Sequence, residues 1–131
     1  IGKLSSEAYK AHEVSRWLHQ EIMDTVGPGT ACAEVYRKVE KRIKEAGLSA
    51  YFMGTRQQAH FVGHGVGLQI NELPVLASRS KEVLQIGMTF AFEPKFVIPS
   101  VGAVGIENTF LVTANGLKKL TYFPEEIIPL E

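Results

Sequence analysis

Apolar residues recur at spacings of three and four in the first part of the chain and at every second position later on. Ala11, Val14, Leu18, Ile22 and Val26 form one stripe, which predicts an amphipathic helix from a cap at Ser5 or Ser6 to about Val26. Gly27-Pro28-Gly29 breaks it, and Thr30 is placed to cap a second helix. Cys32, Val35, Val39, Ile43 and Ala46 make the stripe of that helix, and Gly47 ends it. Leu48 to Gln58 carries no clear period and reads as a short strand or a loop. His60 to Leu68 is apolar and glycine-rich, Asn71-Glu72-Leu73-Pro74 reads as a turn, and Ser78 to Gln85 as a loop. Alternation marks Met88 to Val97 and Val104 to Val112 as strands. Ala114-Asn115-Gly116 is a turn, Leu117 to Phe123 a returning strand, and Pro124 and Pro129 bracket the tail. Two helices followed by a strand-rich half predict an α+β domain over residues 1–131.

Both predicted strands carry a carboxylate in an apolar setting, Glu93 in the first and Glu107 in the second. Burying such a charge is costly unless something compensates it. A hairpin with its tip at Pro99-Ser100-Val101, paired symmetrically about Ser100, sets Glu93 opposite Glu107. Thr89 and Ala91 share Glu93's face, and Ala103, Gly105 and Thr109 share that of Glu107. Met88, Phe90, Phe92, Phe96, Ile106, Phe110 and Val112 take the opposite, packed faces. The small residues leave room around two acids for a ligand. His60 and His64, among Gly63, Gly65 and Gly67, add imidazole where glycine lets backbone approach a ligand closely. One imidazole with paired carboxylates suits manganese, iron, cobalt or zinc, and one carboxylate can take a proton from an acidified water.

Composition narrows the picture. With 131 residues, 45% hydrophobic and 21% charged, the chain is one ordinary globular domain. Fourteen basic and fourteen acidic side chains cancel, so nothing pulls it toward nucleic acid or a charged membrane. No run is apolar enough to span a bilayer. The single Cys32 excludes an internal disulfide framework, lies on a core stripe, and suits a reducing, cytoplasmic setting. His12 and His19 stand apart from the acids and are expected at the surface.

At the histidine and glutamate segments the chain resembles the pita-bread metallopeptidases, which include aminopeptidase P, prolidase, methionine aminopeptidase and the creatinases. His60-Phe61-Val62-Gly63-His64-Gly65-Val66-Gly67-Leu68 with Asn71-Glu72-Leu73-Pro74 is similar to their histidine block. Gly87-Met88-Thr89-Phe90-Ala91-Phe92-Glu93-Pro94 resembles the first glutamate block, and Gly105-Ile106-Glu107-Asn108-Thr109 the second. Ile1-Gly2-Lys3 and Gly27-Pro28-Gly29-Thr30 resemble the middle of the same domain. The resemblance implies a pita-bread fold made of two similar halves around a curved sheet. It makes residues 1–131 the C-terminal part of an Xaa-Pro peptidase-like catalytic domain, the chain beginning at Ile1 as a piece of a longer protein.

The family holds two divalent ions with two aspartates, one histidine and two glutamates. By resemblance His64, Glu93 and Glu107 are metal ligands and Glu93 is also catalytic. His60 is a catalytic, substrate-side histidine, and Asn71 contacts substrate. Asp24 is the only aspartate and ends the first helix, so the two aspartate ligands are expected ahead of Ile1. The piece alone is then expected to bind manganese, cobalt or zinc weakly or not at all, and to be inactive. Two positions depart from the family pattern. Asn71 replaces a second histidine and cannot shuttle a proton, and Gly105 stands where proline-specific members carry arginine.

The resemblance implies a hydrolase acting on a peptide substrate at an Xaa-Pro bond. A creatinase-like hydrolase of small C–N compounds is a variant, and a non-catalytic binding module a rival class. Retention of His64, Glu93 and Glu107 together favours the enzyme. A sheet left half-covered predicts a homo-oligomer.

Overall fold

The computed structural model describes residues 3–128; the expectations for Ile1, Gly2 and Pro129 fall outside them. Helix α1 runs Ser6–Thr25 and α2 Cys32–Glu45. They are followed by β1 (Phe61–Gly65), β2 (Glu72–Ala77), β3 (Thr89–Phe92), β4 (Lys95–Ile98), β5 (Gly102–Gly105), β6 (Asn108–Thr113) and β7 (Gly116–Lys119). Ser5 caps α1, its side chain accepting the Ala8 N–H at 3.2 Å. Helix α2 is capped differently from the sequence expectation. Ala31 is the cap residue and offers no side-chain bond, while the Thr30 hydroxyl turns back to accept the Gly27 N–H. The expected loop Ser78 to Gln85 satisfies the first orphan donor instead, Cys32 N–H donating to Glu82 O at 3.0 Å, and it also holds the preceding turn, Gly29 N–H donating to Leu84 O at 2.8 Å. Gly47, at φ +71°, ends the helix as expected.

The strands form one antiparallel five-stranded sheet in the order β2-β1-β3-β6-β7, with β4 and β5 as a separate hairpin. Both helices lie on one face of it. Phe90, Phe92, Phe110, Val62 and Leu76 pack there against Leu18, Ile22, Val35, Val39 and Ile43, all buried. Cys32 is part of this core, as its stripe predicts. Asn71-Glu72-Leu73-Pro74 is a turn only at its start, because Glu72 already opens β2 and pairs with Gly65. The returning strand β7 stops at Lys119, short of Phe123.

His19 is a correction: it is buried, not at the surface. Its polar atoms are met by backbone, the ring nitrogens facing Ser15 O at 2.8 Å and Phe92 O at 3.1 Å. Its ring also meets Phe92 edge-on, with centroids 4.9 Å apart. A helix stripe counted from apolar residues misses a histidine whose burial is compensated by hydrogen bonds.

Candidate functional site

Strands β3 and β6 pair Phe92 with Asn108, and β4 and β5 pair Lys95 with Gly105. The register is the same in both ladders, so Glu93 lies across from Glu107 as the symmetric hairpin predicts. The acids do not sit inside strands, however. Glu93-Pro94 and Ile106-Glu107 form an interruption between the two ladders. Pro94 has no N–H to give a ladder there, and the gap is bridged by Ser15 on α1, fully buried. Its hydroxyl donates to Pro94 O at 2.9 Å and accepts the Ile106 N–H at 3.0 Å. One side-chain oxygen thus stands where a direct strand-to-strand bond would run, and holds the two strands apart beside the acids.

His64 reaches the same place from β1. It pairs with Ala91, and the Glu93 N–H donates to Val62 O at 2.9 Å, which makes His64 and Glu93 diagonal neighbours on one sheet face. The His64 Nε2 is 3.4 Å from Glu93 Oε1, and both side chains are buried. Its Nδ1 is 3.1 Å from Gly65 O. Donation there fixes the ring so that Nε2 faces the Glu93 carboxylate. The close approach of β1 is possible because residue 63 is glycine: a Cβ there would lie 2.4 Å from Ala91 O. Here the glycine serves strand packing, not approach to a ligand.

Glu93, Lys95, Gly105, Ile106 and Glu107 line a cavity of about 150 Å³. Glu107 is exposed at its rim. The Lys95 ammonium lies 2.6 Å from Glu93 Oε2 and supplies the counter-charge that a buried carboxylate needs. Asn108, next to Glu107, is buried and tied to the tail: it donates to Glu125 Oε1 at 2.8 Å and accepts from the Thr121 hydroxyl at 2.6 Å. Lys119 pairs with the same Glu125 oxygen. Burial raises the Glu125 carboxyl, but Lys119 and Asn108 outweigh it and hold the group below its ordinary value.

The other predicted residues lie elsewhere. His60 is exposed and lines a cavity of about 720 Å³ against α2, with Tyr36, Arg37, Glu40 and Lys44. Asn71 is exposed on the bend before β2. The structure therefore brings His64 and Glu93 together and places Glu107 only on the wall of the cavity that Glu93 also lines, so the expected meeting of all three at one point is corrected to a pair. Ser15, Lys95, Asn108 and Glu125 were not singled out by sequence. For Ser15 a signal existed, a small polar residue one turn after Ala11 on the buried side of α1, and for Lys95 its place two residues after Glu93, on the same side by alternation; Asn108 and Glu125 carried none.

The donor set fits the edge of a divalent-cation site. Nε2 of His64 and Oε1 of Glu93 lie 3.4 Å apart, a separation that two ligands of one cation can have, and Glu107 offers a further carboxylate on the adjoining cavity wall. Among the described residues no three of His, Cys, Asp or Glu are grouped so as to hold a metal ion.

Family comparison agrees with this chemistry. The model of metallopeptidase family M24 matches residues 1–114. The chain belongs to metallopeptidase family M24. It is 33% identical over 128 residues to the Xaa-Pro dipeptidase of Pyrococcus furiosus, a match covering 98% of this chain and 35% of that protein. The solved prolidase of Pyrococcus horikoshii superposes with a TM-score of 0.86 at 32% identity, covering 98% of this chain and 35% of that one. The Xaa-Pro dipeptidase of Bacillus anthracis gives 0.87 at 32% identity, covering 99% and 35%. The M24 chain thus spans about a third of the length of these relatives. A methionine aminopeptidase from Thermotoga maritima, at 24% identity and TM-score 0.66 over 92% of this chain and 54% of its own, shares the fold. That fold is the pita-bread fold, as the histidine and glutamate segments imply.

Proposed function

We propose that this chain is the C-terminal part of the catalytic domain of a metal-dependent peptidase that hydrolyses short peptides of the Xaa-Pro type. The observation that carries the reading is the meeting of the His64 imidazole and the Glu93 carboxylate at 3.4 Å, with Glu107 on the wall of the adjoining cavity. In this reading His64, Glu93 and Glu107 hold two divalent ions, manganese, cobalt or zinc, together with donors from outside these residues. When bound, such ions acidify water and polarise a peptide carbonyl.

The residues of the chain then have separate tasks. Glu93, buried and facing His64, takes the proton of the attacking water at a carboxylate oxygen as the peptide bond is attacked. Gly65 O fixes the His64 ring so that Nε2 faces the site. His60 and Asn71 enter this reading as substrate contacts through the family pattern alone; both are exposed and stand outside the cavity that Glu93 and Glu107 line. The 131 residues alone are inactive, because the remaining donors lie elsewhere.

The test is hydrolysis of Xaa-Pro dipeptides by the full-length protein with manganese or cobalt. The Glu93→Gln variant should lose at least about 10²-fold in kcat, the usual scale for a general acid–base group. A full-length protein that purifies without metal and turns over no peptide would favour a non-catalytic binding role, toward which Asn71 and Gly105 lean.

A further inference from the structure

We infer that Lys95 is a built-in competitor for the metal at Glu93: it occupies Oε2 and makes uptake of one ion weaker than the carboxylates alone would give. The inference rests on the metal-site reading above and goes past it. The two oxygens of Glu93 have different partners. Oε1 faces His64 Nε2, and Oε2 is 2.6 Å from the Lys95 ammonium. A cation that is to use Oε2 must displace that ammonium, and one charge-assisted hydrogen bond is lost when it does.

Gly105 belongs to the same device. It is the register partner of Lys95 across the β4–β5 hairpin. A Cβ at residue 105 would lie 2.6 Å from Pro94 O, 2.8 Å from Lys95 Cα and 3.0 Å from Lys95 Cβ. Any larger residue would push away the strand segment that delivers the ammonium to Glu93. The displaced side chain also has somewhere to go. Lys95 is 43% exposed, and the cavity beside it, walled by Gly105, is open to the surface at Glu107. Lys95 is thus a positioning residue: it turns Glu93 and holds its charge, and touches no reacting atom.

The decisive measurement is manganese binding by the full-length protein, followed by calorimetry and by the rise in melting temperature at saturation. Lys95→Met keeps the length of the side chain and removes its charge. It should bind the weaker manganese ion roughly three- to tenfold more tightly, the scale of a partly exposed charged hydrogen bond. Without manganese the variant should melt lower than the native protein, since Glu93 loses its counter-charge, and its manganese-induced rise should be larger. A purely structural lysine would lower both melting temperatures equally and leave affinity unchanged. Lys95→Gln serves if the methionine variant does not fold. Equal or weaker manganese affinity in a folded variant overturns this inference alone. No saturable manganese in either native or variant protein overturns it together with the metal-peptidase reading.

Discussion

Replacing Ser15 by alanine removes the one side-chain oxygen that bridges the strands at the acidic interruption. The residue is fully buried, and its hydroxyl makes two hydrogen bonds, to Pro94 O at 2.9 Å and from Ile106 N–H at 3.0 Å. Each is worth about 0.5–1.5 kcal/mol net, and a buried partner left without a bond adds to the loss. Ser15→Ala should therefore destabilise the fold by about 2–3 kcal/mol, or roughly 6–15 °C in melting temperature for a chain of this size. Urea titration and calorimetry measure the first quantity. Amide hydrogen exchange at Ile106 reports the bond itself and should quicken more than exchange at Phe110, deep in β6. If the strands instead close on each other, Ile106 N–H finds Pro94 O directly and the stability loss shrinks, but the spacing of Glu93 and Glu107 changes. A variant with unchanged stability, unchanged protection at Ile106 and unchanged manganese affinity would refute the bridging role.

Burial, opposed by hydrogen bonds to Ser15 and Phe92, holds His19 below its ordinary value of 6.5. As pH falls below about 6.5 the unfolded chain takes up the proton first, so stability declines until the folded value is passed. Melting temperature followed from pH 7.5 downward should show this loss, and His19→Gln should flatten it; an unchanged slope would remove His19 as its source. Gly63→Ala places a Cβ 2.4 Å from Ala91 O and 2.8 Å from Leu76 Cδ1, and should cost roughly 1–3 kcal/mol by overpacking, read by urea titration. Self-association is expected at the outer strands β2 and β7 and at exposed Leu68, Ile70 and Leu73. Sedimentation velocity at high concentration should detect it, and a strict monomer would count against it.

The periodicities determined the two helices, the order of helices before strands, and the alternation that puts Phe90, Phe92 and Phe110 on the core side. Register followed as well. Side chains alternate with period two, so packing those rings on one side fixed Glu93 and Glu107 on the other. The family motifs named His64 and both glutamates, because their neighbours repeat a recognisable spacing along the chain. What the sequence could not supply was which groups from other segments tie down the chain around those acids. Ser15, Asn108 and Glu125 act through bonds between separate segments, as from Ser15 to Pro94 and from Asn108 to Glu125, whereas Lys95 meets Glu93 from two residues along the same stretch. His19 was misjudged for the same cause: its carbonyl partner Phe92 O lies on another element. Burial of a polar side chain depends on its partner, and partners are assigned only when the chain folds in three dimensions.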